Sequence, residues 1–166
     1  MAGFLPTSIQ NLLTKPLKSI PDHRGSFIKL GINNPFVEEN VSVSHRNVLR
    51  GIHYMTKGHR IFTPIYGRLY VVFLDVQDGS KTKFDSFYLT IDDSNRQSFL
   101  VPPYVGCAFL VLSDLAIVHY KFEFEYDQSK QRTICYDDEN FNIYWPCTGD
   151  FILSERDFYA DESLIK

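Results

Sequence analysis

The chain is poor in the features that define several large protein classes. Its three cysteines, Cys107, Cys135 and Cys147, form no CxxC pair and no Cys/His ligand spacing. A disulfide framework or structural zinc site is therefore not expected, and the thiols read as reduced, in a cytoplasmic protein. There is no basic tail or lysine run, and the formal net charge is −3, which argues against a general nucleic-acid binder. Long apolar runs are also missing. The longest, Phe99 to Leu112, is broken by Pro102, Pro103 and Gly106, too short for a membrane span. The opening Met-Ala-Gly-Phe-Leu-Pro has no basic segment followed by an apolar core, so it does not read as a signal peptide. Internal repeats, low-complexity tracts and linkers are absent, and helix signals are few.

What the chain does have is rings and strands. Aromatic residues make up 15% of it, with 14 Phe and 10 Tyr, which favours strands and an interior lined with rings. At 166 residues, 44% hydrophobic and 22% charged, it is long enough for one domain, residues 1–166, with a real core. Val41 to Ser44 alternates apolar and polar residues. Leu69 to Val76 is a nearly continuous apolar run, as in a strand covered on both faces. Phe84 to Ile91 follows an Asp-Gly-Ser turn, and Cys107 to Leu112 follows a Pro-Pro break. Tyr120, Phe122, Phe124 and Tyr126 share one strand face, with Lys121, Glu123 and Glu125 on the other. Ser8 to Lys15 is expected to make one or two helical turns stopped by Pro16. Ser154 is expected to cap a short helix, with Asp157 where a capping box places an acid. Many short strands between Gly, Pro and Asp turns predict an all-β sandwich or barrel with a few short helices.

The chemistry concentrates in Val48-Leu-Arg-Gly-Ile-His-Tyr54. Histidine moves protons near neutral pH, arginine grips phosphate or carboxylate, and Gly51 lets the backbone approach a neighbour closely. A base and an anion clamp side by side point to an enzyme acting on a phosphorylated or nucleotide-linked substrate.

Ordered fragments along residues 20–158 resemble one family. They are Asp22-His-Arg-Gly-Ser-Phe27, Asn40-Val-Ser-Val-Ser44, Leu49-Arg-Gly-Ile-His-Tyr54, Val101-Pro102, Val111-Leu-Ser113, Ile143-Tyr-Trp-Pro146 and Leu153-Ser-Glu-Arg-Asp157. Together they are similar to the dTDP-4-dehydrorhamnose 3,5-epimerase family of nucleotide-sugar enzymes. The resemblance implies a cupin-like jelly roll and a homodimer, with no metal or organic cofactor. Its reaction removes a proton beside the ketone of a nucleotide-linked 4-keto sugar and returns one to the opposite face. It implies His53 as base, Asp157 as its partner, and a tyrosine of the aromatic strand as acid. Spacing to Ile134 matches that tyrosine to Tyr126, with Tyr120 next on the same face. It assigns Arg24 and Arg50 to the phosphates or sugar, while Asn40, Ser42 and Ser44 share one strand face and are placed to line a polar cavity.

Several positions depart from the family pattern. Arg60 stands where a lysine normally steadies the enolate, Cys107 where a second histidine is usual, Glu38 in place of a glutamine, and Lys29 in place of a glutamate that helps bind the nucleotide. These positions remain candidate substrate contacts, and the changes suggest a different sugar or nucleotide, such as GDP or CDP. A 3,4-ketoisomerase and a non-catalytic sugar-nucleotide-binding cupin are the competing readings. A metal-dependent cupin is disfavoured, because His45, His53 and His59 contain no His-x-His pair followed by a spaced glutamate.

Overall fold

The computed structural model describes residues 3–23, 25–30, 36–125, 127, 130–147 and 149–160. The strands in chain order are β1 (Leu5–Pro6), β2 (Leu13–Pro16), β3 (Ser19–Asp22), β4 (Gly25–Ile28), β5 (Glu38–His45), β6 (Leu49–Met55) and β7 (Arg60–Tyr66). They continue with β8 (Leu69–Asp75), β9 (Ser86–Ile91), β10 (Gln97–Val101), β11 (Val105–Val111), β12 (Leu115–Phe122) and β13 (Gln131–Thr133), followed by one short helix, α1 (Glu155–Phe158). A six-stranded sheet runs β1-β2-β10-β7-β12-β5 and a five-stranded sheet runs β13-β6-β11-β8-β9, while β3 and β4 form a separate hairpin. The pairings in these sheets are antiparallel. This is the expected all-β sandwich.

Alternation explains the apolar runs. Along β8, Leu69, Val71 and Phe73 enter the core between the sheets, where they meet Phe62, Phe99 and Phe109. Tyr70, Val72 and Leu74 point the other way, into a second cluster with Ile52, Ala108 and Leu110. Phe141, Ile143, Trp145, Phe151 and Leu153 pack over that second cluster. Strands β8 and β11 are buried along their whole length, which is why neither shows a polar face in sequence.

Two expectations need correction. Residues 8–15 are not helical: Asn11 has φ +65°, and Leu13–Pro16 pairs with β10. Ile9 and Leu12 are three apart and both buried in the core, so a turn reproduces the spacing of a helix face. The aromatic strand also ends sooner than expected. Strand β12 stops at Phe122, and Phe124 continues only as a ring against Phe122.

Candidate active site

Arg50 and His53 lie three residues apart on β6, a spacing that would send their side chains to opposite faces of a regular strand. A β-bulge changes this. Cys107 pairs with His53 and Phe109 with Arg50, so β11 advances two residues while β6 advances three. Gly51 occupies the bulge at φ +114°, and a Cβ there would lie 2.6 Å from the Cys107 carbonyl oxygen. Only glycine fits. The glycine between the two functional residues therefore brings both to the inner face.

Between the sheets, that face opens into a cavity of about 250 Å³. This is below the roughly 300–1,000 Å³ of sites that enclose drug-sized ligands, and it suits one sugar ring with the rest of a ligand outside. Phe62, Cys107, Phe109 and Phe122 form its apolar lining, while Asn40, Ser42, His53 and Tyr120 supply polar groups beside Arg50, Arg60, Gln131 and Arg156. Among the described residues, three arginines and no carboxylate line the cavity. A chain of net charge −3 thus presents a positive interior surface, which focuses attraction for an anion.

His53 Nε2 lies 2.6 Å from Asp157 Oδ1. Asp157 is 2% exposed. Burial alone would raise its pKa, but the hydrogen bond and charge of His53, the Ser154 hydroxyl and the Gly51 N–H together hold the carboxyl below its usual value. An ionised carboxylate only accepts, so Nε2 is the donor in this contact, and the tautomer that serves as a base carries its lone pair on Nδ1. Ser154 caps α1 as expected, accepting from the Asp157 N–H.

Tyr120 stands on β12, in the opposite sheet from His53. Its hydroxyl meets Ser42 Oγ at 3.2 Å, and burial pushes its pKa up to about 12. It therefore keeps its proton at neutral pH. Arg60 is 6% exposed. One terminal nitrogen donates to the His53 carbonyl at 2.7 Å, and its buried Nε has no partner among the described residues. A buried cationic donor left unpaired beside a cavity implies an acceptor supplied by a ligand.

The other candidates divide clearly. Asn40, Arg50 and Cys107 reach the cavity lining, and Arg50 Nε donates to the buried Ser44 hydroxyl at 3.0 Å. Burial pushes the Cys107 thiol up to about 11, so it is neutral and a poor nucleophile. Glu38 is not part of the lining but accepts from Asn40 Nδ2 at 2.5 Å. Lys29 is exposed and does not line the cavity. Arg24 and Tyr126 lie outside the described residues.

Gln131 and Arg156 were missed in the sequence. Arg156 donates to Thr133 Oγ1 at 3.0 Å and to Gln131 Oε1 at 3.0 Å, buckling α1 to β13. Its one signal was its place beside Asp157. Among the described residues, no group of three or more His, Cys, Asp or Glu is arranged to hold a metal.

Fold and cavity together define a β-sandwich with an arginine-lined cavity beside a histidine paired with a buried aspartate. The sequence profile of dTDP-4-dehydrorhamnose 3,5-epimerase matches residues 6–163, and the chain belongs to that family. A dTDP-4-dehydrorhamnose 3,5-epimerase of Methanothermobacter thermautotrophicus is 30% identical, over 93% of this chain and 90% of its own length. The Escherichia coli enzyme of the same name is also 30% identical, over 96% and 95%. Among solved structures, a dTDP-6-deoxy-D-glucose-3,5-epimerase of Legionella pneumophila in complex with dTDP-4-keto-L-rhamnose superposes with a TM-score of 0.86 at 29% identity, covering 98% of this chain and 94% of that one. ChmJ, a 3′-monoepimerase of Streptomyces bikiniensis in complex with dTDP-quinovose, gives a TM-score of 0.85 at 28% identity, covering 93% and 85%.

Proposed function

We propose that this protein epimerises a nucleotide-diphosphate-linked 4-keto sugar at carbon 3, carbon 5 or both, as a single catalytic domain spanning residues 1–166. The observation that carries this reading is the placement of His53, paired with Asp157 of α1, and Tyr120 on facing sheets across a sugar-sized cavity. His53 Nδ1 takes the proton from the carbon beside the ketone. The electron pair moves onto the ketone oxygen, and the Arg60 guanidinium stabilises the resulting enolate. Tyr120 then gives its hydroxyl proton to the other face of the same carbon. Solvent reprotonates the tyrosinate and removes the proton from His53, so the cycle closes without net acid or base. Tyr120 takes the role that sequence spacing assigned to Tyr126, because its hydroxyl reaches the cavity.

Arg50 is suited to hold the diphosphate at the cavity mouth, with Arg24 as a second contact. The solved relatives that carry dTDP sugars favour dTDP as the nucleotide. Lys29, exposed and away from the lining, gives little ground for a different base. Calorimetry with dTDP, GDP and CDP decides: a tenfold preference for GDP or CDP, about 1.4 kcal/mol, would return the role to Lys29. The protein acts as a homodimer. Val41 and Val43 are 61% and 55% exposed on β5, an outer strand of its sheet, and an apolar edge of this kind calls for cover. Analytical ultracentrifugation checks this, and a monomer at micromolar concentration contradicts it. No helix among the described residues is long and apolar enough to cross a membrane. The reaction belongs to cytoplasmic synthesis of sugars for surface polysaccharide.

The direct test is NMR in deuterated water with dTDP-linked 4-keto-6-deoxyglucose. Deuterium entering carbon 3 or carbon 5 with inversion supports the reading. Migration of the ketone to carbon 3 indicates a ketoisomerase, and no exchange with any nucleotide-linked 4-keto sugar indicates a binding protein.

A further inference from the structure

We propose that Ser154 is a positioning residue of the catalytic pair, locking the Asp157 carboxylate in the plane that presents Oδ1 to His53. The inference rests on the reading of His53 as base. Ser154 Oγ–H donates to Asp157 Oδ2 at 2.9 Å, and the same oxygen accepts from the Asp157 N–H at 3.2 Å. One hydroxyl thus uses its donor and one acceptor position on a single residue. An ordinary capping box works differently: the side chain three residues on reaches back to the cap's backbone N–H. Here that carboxylate is divided, with Oδ1 on the imidazole and Oδ2 on the cap hydroxyl.

The division matters because a carboxylate's terminal torsion is broad and nearly two-fold. Without Ser154 the carboxylate keeps the bonds from His53 and the Gly51 N–H but loses the hydroxyl that holds Oδ2, and with it the restraint on its rocking. The base of this support is anchored. Ile152 donates to the Asn47 carbonyl at 2.9 Å, and Leu49 donates to the Ile152 carbonyl at 3.1 Å, tying the residues before Ser154 to the strand that carries His53. Helix α1 has only four residues, so its orientation depends on such ties.

The experiment measures exchange kinetics in deuterated water with a dTDP-linked 4-keto-6-deoxy sugar, together with the ¹⁵N spectrum of His53. Ser154→Ala is expected to lower kcat for exchange about tenfold, leave KM within about twofold, and broaden or split the His53 Nε2–H signal. Ser154→Thr keeps the hydroxyl and restores all three readouts. Ser154→Gly preserves capping at a cost of only a few tenths of a kcal/mol, so it reports the same kcat loss if the alanine variant folds poorly. Wild-type kcat and an unchanged His53 spectrum in the alanine or glycine variant, with only the melting temperature lowered, would make Ser154 a plain helix cap and overturn the inference. The underlying reading fails separately: it falls if His53→Asn exchanges at the wild-type rate, whatever Ser154 does.

Discussion

Three histidine–carboxylate pairs occur among the described residues, and they differ in what the imidazole faces. His53 and Asp157 meet at 2.6 Å, His119 and Glu39 at 3.0 Å, and His59 and Glu123 at 3.1 Å. By contact alone they are nearly alike. But Glu39 lies half exposed on the outer side of the six-stranded sheet, where Lys121 first and His119 second hold its pKa below the usual value. Buried His119 Nδ1 has no partner among the described residues and opens onto no described cavity. The Glu123 carboxylate also takes the His59 backbone N–H, so that pair serves as a loop clasp. Only in the first pair is the acid fully buried while the imidazole lines a cavity. A histidine–carboxylate contact is common surface chemistry. Burial of the acid and a place for the imidazole on the cavity lining are what support the proposal of His53 as the base.

Substitution can break or sharpen that contrast. His53→Asn should lower solvent exchange at the substrate carbon about 10³-fold or more, while His119→Asn and His59→Asn stay within about threefold. An equal loss at His119 would end the distinction. Asp157→Asn, which leaves the imidazole without an ionised acceptor, should cost about 10²-fold in exchange with nucleotide affinity unchanged by calorimetry. Arg60→Lys keeps the charge but loses the planar fork, and a loss of about tenfold in kcat is expected. A rise in KM larger than the fall in kcat would make Arg60 a ground-state contact instead.

The smallest effect concerns stability. The depressed Asp157 pKa means that its ionised form stabilises the fold above the ordinary carboxylate pKa of about 3.9, and that this contribution is lost as pH falls through the folded value. Asp157→Asn should therefore melt lower than wild type at pH 7, with the gap closing below about pH 4. A gap independent of pH would contradict the charge assignment.

The sequence carried the sandwich because its central strands are extreme cases. Leu69–Asp75 and Val105–Val111 are buried on both faces, and no helix of that length hides every side chain so simply. Strand β7 was silent because Pro64 sits inside it. The structure accommodates the proline where the pairing with β12 shifts by one residue, Val118 opposite Pro64 and Ile117 opposite Tyr66. Residues 8–15 misled because Ile9 and Leu12 enter the core from a turn at helical spacing. At the site, His53 and Asp157 were legible through motifs, but the bulge that brings Arg50 and His53 to one face was not. Period puts Tyr120 and Tyr126 on one strand face and says nothing of depth, and Tyr126 lies outside the described residues. Depth is what puts the Tyr120 hydroxyl beside Ser42 inside the cavity.

The central claim is that base and acid act from opposite sheets. Tyr120→Phe tests it most directly, followed in deuterated water by NMR that reads label incorporation and configuration in the same sample. The account predicts that deuterium still enters the carbon beside the ketone, because His53 remains, while inverted product falls at least about 10²-fold. Inversion at the wild-type rate, or loss of exchange and inversion together in a folded variant, would contradict a division of the two proton transfers between His53 and Tyr120.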